Sequence, residues 1–485
     1  MSEANKSHRT GFPRLPSRPL LIETAAFALY FFTWKLCMAV TLARAPRLAE
    51  VGVLGPAYAL LLAFTGLGYV LFWVAHSYLP SPKERKSLAA VVLAFCFGGS
   101  IVMMTTQRIE ILLAASCVTI LALGCIGGGT HYGFSLVSYG SEFSGRALGI
   151  GMGVSSLLQY VVEAMGLTPV VFVVCVVLSL FAIMWLATRP AKRWGREQDP
   201  AAKQAPVVGR RPITILVVAA VAMTLDYGLL DSVLVWKYAS GEILTAGLSK
   251  IVNALFLPLV GVLFDLKKGN LRSLITVCAM FLIAVATSAA EEDEWVGVAT
   301  VMAGVYGAFY VMYLSASFMR IAPDASRPEV IASVGRAVSC FVGAIGALTA
   351  RPFFESCGVV ATVGVSCLLS IICLLILLRD IAWGVTKGLG EDGVAFGDEL
   401  PRPFGPSREE ALDTYIEKLG LTAREAEVCG LLLSTDLGVQ EIADEIFISR
   451  RVAQRHIAAI YEKAGVTTRL GLYRDFDAWF DEGAN

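Results

Sequence analysis

Two groups of side chains carry charge where charge is either costly or informative. The first lies inside apolar stretches: Glu23, Lys35, Glu163, Asp226, Asp231 and Lys250. A charge in the hydrocarbon of a bilayer costs roughly 2.5–3.5 kcal/mol on insertion scales, so each asks for a reason. Glu23 and Glu163 lie near the ends of their stretches and are expected to reach the headgroups. Lys35, Asp226, Asp231 and Lys250 lie deeper and are the candidate ligand-binding residues, with Lys250 expected to pair with Asp226 or Asp231. Ion pairs that only fix helix packing are the competing use of these groups.

The second group lies near the C-terminus. Helical register after Ser449 puts Val452, Ala453, Ile457 and Ile460 on one face. It leaves Arg450, Arg451, Gln454, Arg455 and Ala458 on the other, with His456 beside them. An arginine on such a face binds phosphate or makes a bidentate contact with guanine. The chain offers no Walker loop, no zinc-ligand spacing and no nucleophile elbow. Its 11 cysteines include no CxxC pair, and ten of them fall within apolar stretches. They read as small buried hydrophobes, and no catalytic centre, metal or cofactor is expected.

The elements that hold these residues follow from composition. Of 485 residues, 56% are hydrophobic and 16% charged, with a mean hydropathy of +0.66. The excess sits in blocks of about 20 residues, enough to cross a ~30 Å hydrocarbon core. Twelve spans are expected, near 20–43, 51–75, 88–106, 109–130, 145–166, 168–187, 212–236, 241–264, 271–290, 295–319, 329–350 and 357–378. With both ends cytoplasmic, the inner segments before the twelfth span hold 20 Lys and Arg, against five in the outer turns. That asymmetry follows the positive-inside rule and predicts a multi-pass protein of the inner (cytoplasmic) membrane.

The expected organisation is a cytoplasmic tail at 1–19, a six-helix half at 20–187 and a cytoplasmic linker at 188–211. A second half at 212–378, a Gly/Pro-rich tether at 379–407 and a cytoplasmic domain at 408–485 follow. The halves echo each other. Gly145-Arg146-Ala147 recurs 190 residues later as Gly335-Arg336-Ala337. Gly261-Val262-Leu263-Phe264-Asp265, with Lys267, Lys268 and Arg272 after it, resembles the signature between spans 8 and 9 of the major facilitator superfamily. The equivalent place in the first half, Gly68 to Lys86, has no aspartate. Two similar six-helix halves are that superfamily's architecture, with ligands held between them. The resemblance places Lys35 and Asp226 on the helices that line the central cavity.

Leu421 to Tyr473 resembles the helix-turn-helix domain of the LuxR family of bacterial transcription regulators. Thr422-Ala423-Arg424-Glu425 reads as a capping box. A short helix at about 439–446 and a third capped by Ser449 follow, then a fourth after Thr468 carrying Leu472, Phe476 and Trp479. The resemblance implies that the third helix enters the major groove. It also implies that Lys463 and Arg469 add phosphate contacts. Thr435-Asp436 stands where the family has Gly, and Val452-Ala453-Gln454 replaces its usual Thr-Val-Lys. Residues 408–485 hold nine Lys and Arg against 15 Asp and Glu, so non-specific DNA affinity is low and pairing of heads is expected.

The expected fold is all-α. The expected function is a membrane-bound one-component regulator that senses a small-molecule inducer and binds double-stranded promoter DNA as a homodimer. The rival is a secondary transporter with a fused regulatory domain.

Overall fold

The computed structural model describes residues 17–49, 51–79, 82–139, 141–188, 210–239, 246–266, 269–289, 293–386, 408–434, 438–446, 448–469, 471–473, 475–476 and 479. Most of the expected N-terminal tail, inter-half linker and tether lie outside these residues, as do Lys267, Lys268, Thr435 and Asp436. The described residues form helices and contain no strand. They divide into two units, Met1–Leu400 and Pro401–Asn485.

In the first unit the helices are α1 (Arg18–Leu48), α2 (Leu54–Tyr78), α3 (Pro82–Thr105), α4 (Ile109–Ser138), α5 (Ser144–Ala164) and α6 (Pro169–Thr188). They continue as α7 (Arg210–Ala239), α8 (Ala246–Phe264), α9 (Gly269–Ala289), α10 (Val296–Met312), α11 (Phe318–Ile321) and α12 (Pro328–Thr386). Among the described residues, nine helices are long and apolar enough to cross a membrane, and Leu248–Phe264 and Ser273–Ala289 are shorter apolar ones. The expected boundary between spans at 350 and 357 shifts slightly. Helical backbone runs through Arg351 and Pro352, and the chain turns at Gly358, whose φ of 77° disfavours any side chain.

The outside of this unit is apolar. On α6, Val170, Val174, Leu178, Phe181 and Trp185 are exposed at helical spacing, so a continuous greasy stripe faces outward. In water such a stripe would be a liability; against acyl chains it is a solvation surface. Inside, Leu36, Leu61, Leu123 and Phe172 belong to one apolar core built from α1–α4 and α6. A larger core joins α7–α11 to residues of α1, α4 and α5.

Two helix pairs make the main contacts between the front and back halves of the chain: α5 with α8, and α2 with α12. Gly145, Gly149 and Gly153 bring α5 so close to the α8 backbone that a Cβ on any of them would lie under 3.0 Å from Gly261, Leu257 or Ala254. Asp265, just past α8, accepts from the Gly145 and Arg146 amides at 2.6 and 3.0 Å and from Arg146 Nε at 2.6 Å. Those amides belong to the first turn of α5, where unpaired N–H groups and the helix dipole favour an anion. The signature aspartate therefore pins one end of the seam. Along the other pair, Trp73 donates to Ser333 at 2.9 Å and Arg327 donates to Ser77 at 3.1 Å.

The second unit contains α13 (Arg408–Lys418), α14 (Ala423–Ser434), α15 (Val439–Glu445) and α16 (Arg450–Lys463), and the described residues of 469–479 are helical too. Val428, Leu432, Ile442, Ile457, Ile460, Leu472 and Phe476 form its core. Tyr415 of α13 packs on Phe476 and Trp479, so the lead-in helix is part of the fold.

Candidate functional sites

Inside the first unit, the ionisable residues pair differently from the sequence expectation. Lys250 bonds to Glu163, not to Asp226. Glu163 therefore does not simply reach outward; it closes the α5–α8 seam at the end opposite Asp265. Gln159 donates to the same carboxylate at 2.9 Å. Asp226 is fully buried and accepts from Ser366 of α12. The side chain of Asp231 lies outside the described residues. Lys35 donates to Ser155 at 3.0 Å and Ser156 at 2.6 Å, two neutral hydroxyls of α5. Cross-helix pairing decides these partners, and the residues concerned are 87 to 140 positions apart in the chain.

One residue of this interior was not singled out by the sequence reading as a buried charge. Arg336, near the start of α12, is only 7% exposed. Its guanidinium carbon lies 5.4 Å from the Phe31 ring and 6.0 Å from that of Trp34. Tyr30, Tyr69, Tyr310 and Cys340 also neighbour it. The two tyrosines across the α1–α2 contact share a hydrogen bond, Tyr30 to Tyr69 at 2.9 Å. Cation–π contacts return up to about 2 kcal/mol when desolvated, less than the cost of the buried charge. The repeated Gly-Arg-Ala triplet was the available signal: its first copy, Arg146, has Asp265 as partner, and a 190-residue offset puts Ala75 at the mate of that aspartate.

In the second unit α14, α15 and α16 each begin with a satisfied cap. Glu425 Oε2 accepts from the Thr422 amide at 2.7 Å, and Thr422 Oγ1 accepts from the Glu425 amide at 3.4 Å. Glu441 reaches back to the Gly438 amide at 2.8 Å. Ser449 accepts from the Val452 amide at 3.4 Å and sets the first turn of α16. With Ala453, Ile457 and Ile460 buried, Arg450, Arg451, Gln454, Arg455 and Ala458 stand exposed on the opposite face, and His456 is half-buried at its edge.

Lys463 and Arg469 are engaged within the unit. Lys463 donates to Glu425 at 2.7 Å and to the Gly420 carbonyl at 2.9 Å. That ammonium, with the Thr422 amide, holds the Glu425 carboxyl down at about 2. Arg469 donates to the carbonyls of Leu432 and Leu431 at 2.9 and 3.5 Å, covering the C-terminal end of α14. Arg450, Arg451 and Arg455 of α16 are exposed.

Residues 419–475 match the model of the luxR family of bacterial regulatory proteins. The LuxR-type head thus comprises α14–α16 and the helical residues after them. The first unit has a fold like that of a solved membrane transporter. It is similar to the crystal structure of the human organic anion transporter MFSD10 (TETRAN), with a TM-score of 0.50 and 14% identity. The match covers 75% of this chain and 100% of that one. No curated protein matches the chain. A LuxR-type head and a facilitator-like membrane unit on one chain are the findings that any function must join.

Proposed function

We propose that the protein is a membrane-bound, one-component transcription regulator. A small molecule held between two six-helix halves shifts their packing, and that shift changes promoter binding by the LuxR-type head. The observation that carries this reading is the exposed set Arg450, Arg451, Gln454 and Arg455 on α16, covalently joined to a membrane unit with ionisable residues in its interior. Arg450, Arg451 and Arg455 take phosphates or guanine edges, and Gln454 and Ser449 add polar contacts. His456 and Ala458 border that surface, and Lys463 and Arg469 hold it in shape. The net acidic head gains little from non-specific attraction, so two heads act together on a two-fold site.

The membrane unit crosses the inner membrane twelve times, with both termini in the cytoplasm where the DNA is. Lys35, Asp226, Asp231 and Lys250 belong to the ligand-sensing interior. Genome-wide occupancy of the intact protein tests the reading, beside an Arg451→Ala/Arg455→Ala double variant. Discrete peaks lost in the variant support it; no peaks under any growth condition would overturn it. The facilitator fold favours a second reading, transport. Accumulation of a solute in vesicles, lost when the membrane unit is altered, would support that reading instead.

A further inference from the structure

Arg336 and Lys35 are two cations in one interior, and among the described residues neither has a carboxylate partner. Arg336 is 7% exposed and its Nε has no hydrogen-bond partner. The rings of Phe31 and Trp34 flank it, and its other neighbours are tyrosines and a cysteine. Lys35 bonds to two serines, and the charged groups that act on it are Arg336 and Lys250, both cations. Lys250 is already taken by Glu163. Two buried cations repel each other, and an anion placed between them offsets that repulsion.

Arg146 and Arg336 occupy the same place in the repeated triplet, and Arg146 is neutralised by Asp265. At the matching position the first half has Ala75. The second copy keeps the arginine without its acid. We infer that the missing negative charge is supplied by the ligand: a small aromatic carboxylate seated on Arg336, with Lys35 as second cation and Phe31 and Trp34 against its ring. This deepens the sensing reading above and rests on it.

The donors on offer fit a singly charged group. A lysine ammonium has three N–H bonds, and two of those on Lys35 go to Ser155 and Ser156, leaving one. The guanidinium fork matches the two oxygens of a carboxylate. Around them the surface is aromatic: the Phe31 and Trp34 centroids are 6.3 Å apart, with Tyr30 edge-on to Phe31 at 5.0 Å. A phosphate dianion would find too few donors there.

The test uses the full-length protein in lipid nanodiscs. Benzoate, phenylacetate and phenylpropionate are compared with their amides, with phenethylamine and with chloride, by thermal shift and by calorimetric titration. At least one carboxylate should bind saturably where its amide does not. Its affinity should fall at least tenfold in Arg336→Gln and return in part in Arg336→Lys. If Arg336→Gln does not fold, Lys35→Gln should show the same direction of loss. Amides or the amine binding as well as the carboxylates would overturn the inference, as would chloride reproducing the shift. Unchanged carboxylate affinity in Arg336→Gln would overturn it too. Promoter occupancy separates the two claims. Carboxylate binding with no DNA peaks sinks the regulator and keeps the anion site; ligand-responsive peaks without carboxylate preference sink the anion site and keep the regulator.

Discussion

Lys463, in the last turn of α16, reaches across to Glu425 in the first turn of α14, with Nζ and carboxylate 2.7 Å apart. The same carboxylate closes the Thr422 capping box, so one side chain ties the start of α14 to the end of α16. The angle between α14 and α16 is set by this clasp as well as by the core of Val428, Leu432, Ile457 and Ile460.

The clasp gives the head a pH dependence with a defined sign. Glu425 titrates near 4.5 when unperturbed and at about 2 in the fold. A depressed carboxyl contributes its stability fully above about 4.5 and loses it as pH falls toward about 2. Hydrogen exchange of α14 and α16 amides in the intact protein, compared at matched pH between wild type and Glu425→Gln, reads this out. Wild type should be better protected at neutral pH, and the difference should close across that acid window. A difference that persists at the acid end would assign the protection to something else.

Arg469 and Arg455 separate holding the head from reading with it. Removing Arg469 leaves two carbonyls at the end of α14 uncovered, and Arg469→Ala should cost the head about 1–2 kcal/mol. Cys429 is fully buried, and burial pushes its thiol up to about 11, so it is inert in the native head. Maleimide labelling resolved by mass spectrometry should show Cys429 modified faster in Arg469→Ala. In Arg455→Ala it should stay protected while promoter occupancy falls. Equal labelling in the two variants would contradict the division of roles.

Glu163 and Lys250 form a pair that is cheaper to remove whole than by half. Their side chains are 27% and 18% exposed, so each retains part of its desolvation cost. Glu163→Gln leaves an ammonium without its counter-charge between α5 and α8 and should cost up to about 3 kcal/mol. Adding Lys250→Met should recover most of that loss. Thermal unfolding in nanodiscs measures both, and additive losses in the double variant would mean that the two side chains are not coupled.

The helix starts and buried face of the head were legible locally, whereas the engagement of Lys463 with Glu425 and of Arg469 with the end of α14 was not. Ser449 and the Thr422/Glu425 box announce their helix starts locally, and the burial of Ala453, Ile457 and Ile460 follows from a 3.6-residue period. The membrane unit was legible as apolar helices, because length and hydropathy are local quantities too. Its ion pairs were not. Glu163 meets Lys250 and Asp226 meets Ser366 only through helix neighbours chosen by the whole bundle. Arg336 escaped for a related reason: as the middle of a repeated triplet at the start of a span, it read as a marker of symmetry. Its burial depends on Phe31 and Trp34, some 300 residues earlier.

The seam between α5 and α8 has a mechanical consequence. Where Gly145, Gly149 and Gly153 meet Gly261, Leu257 and Ala254, backbone lies on backbone, and there are no rotamers to absorb a displacement. With Asp265 at one end and Glu163 at the other, the two helices move as a single bar or part altogether. A force applied at Lys35, which hangs from Ser155 and Ser156 of α5, would therefore load α8 as well. Strain entering at that serine pair would pass from the first half of the chain to the second through backbone contact.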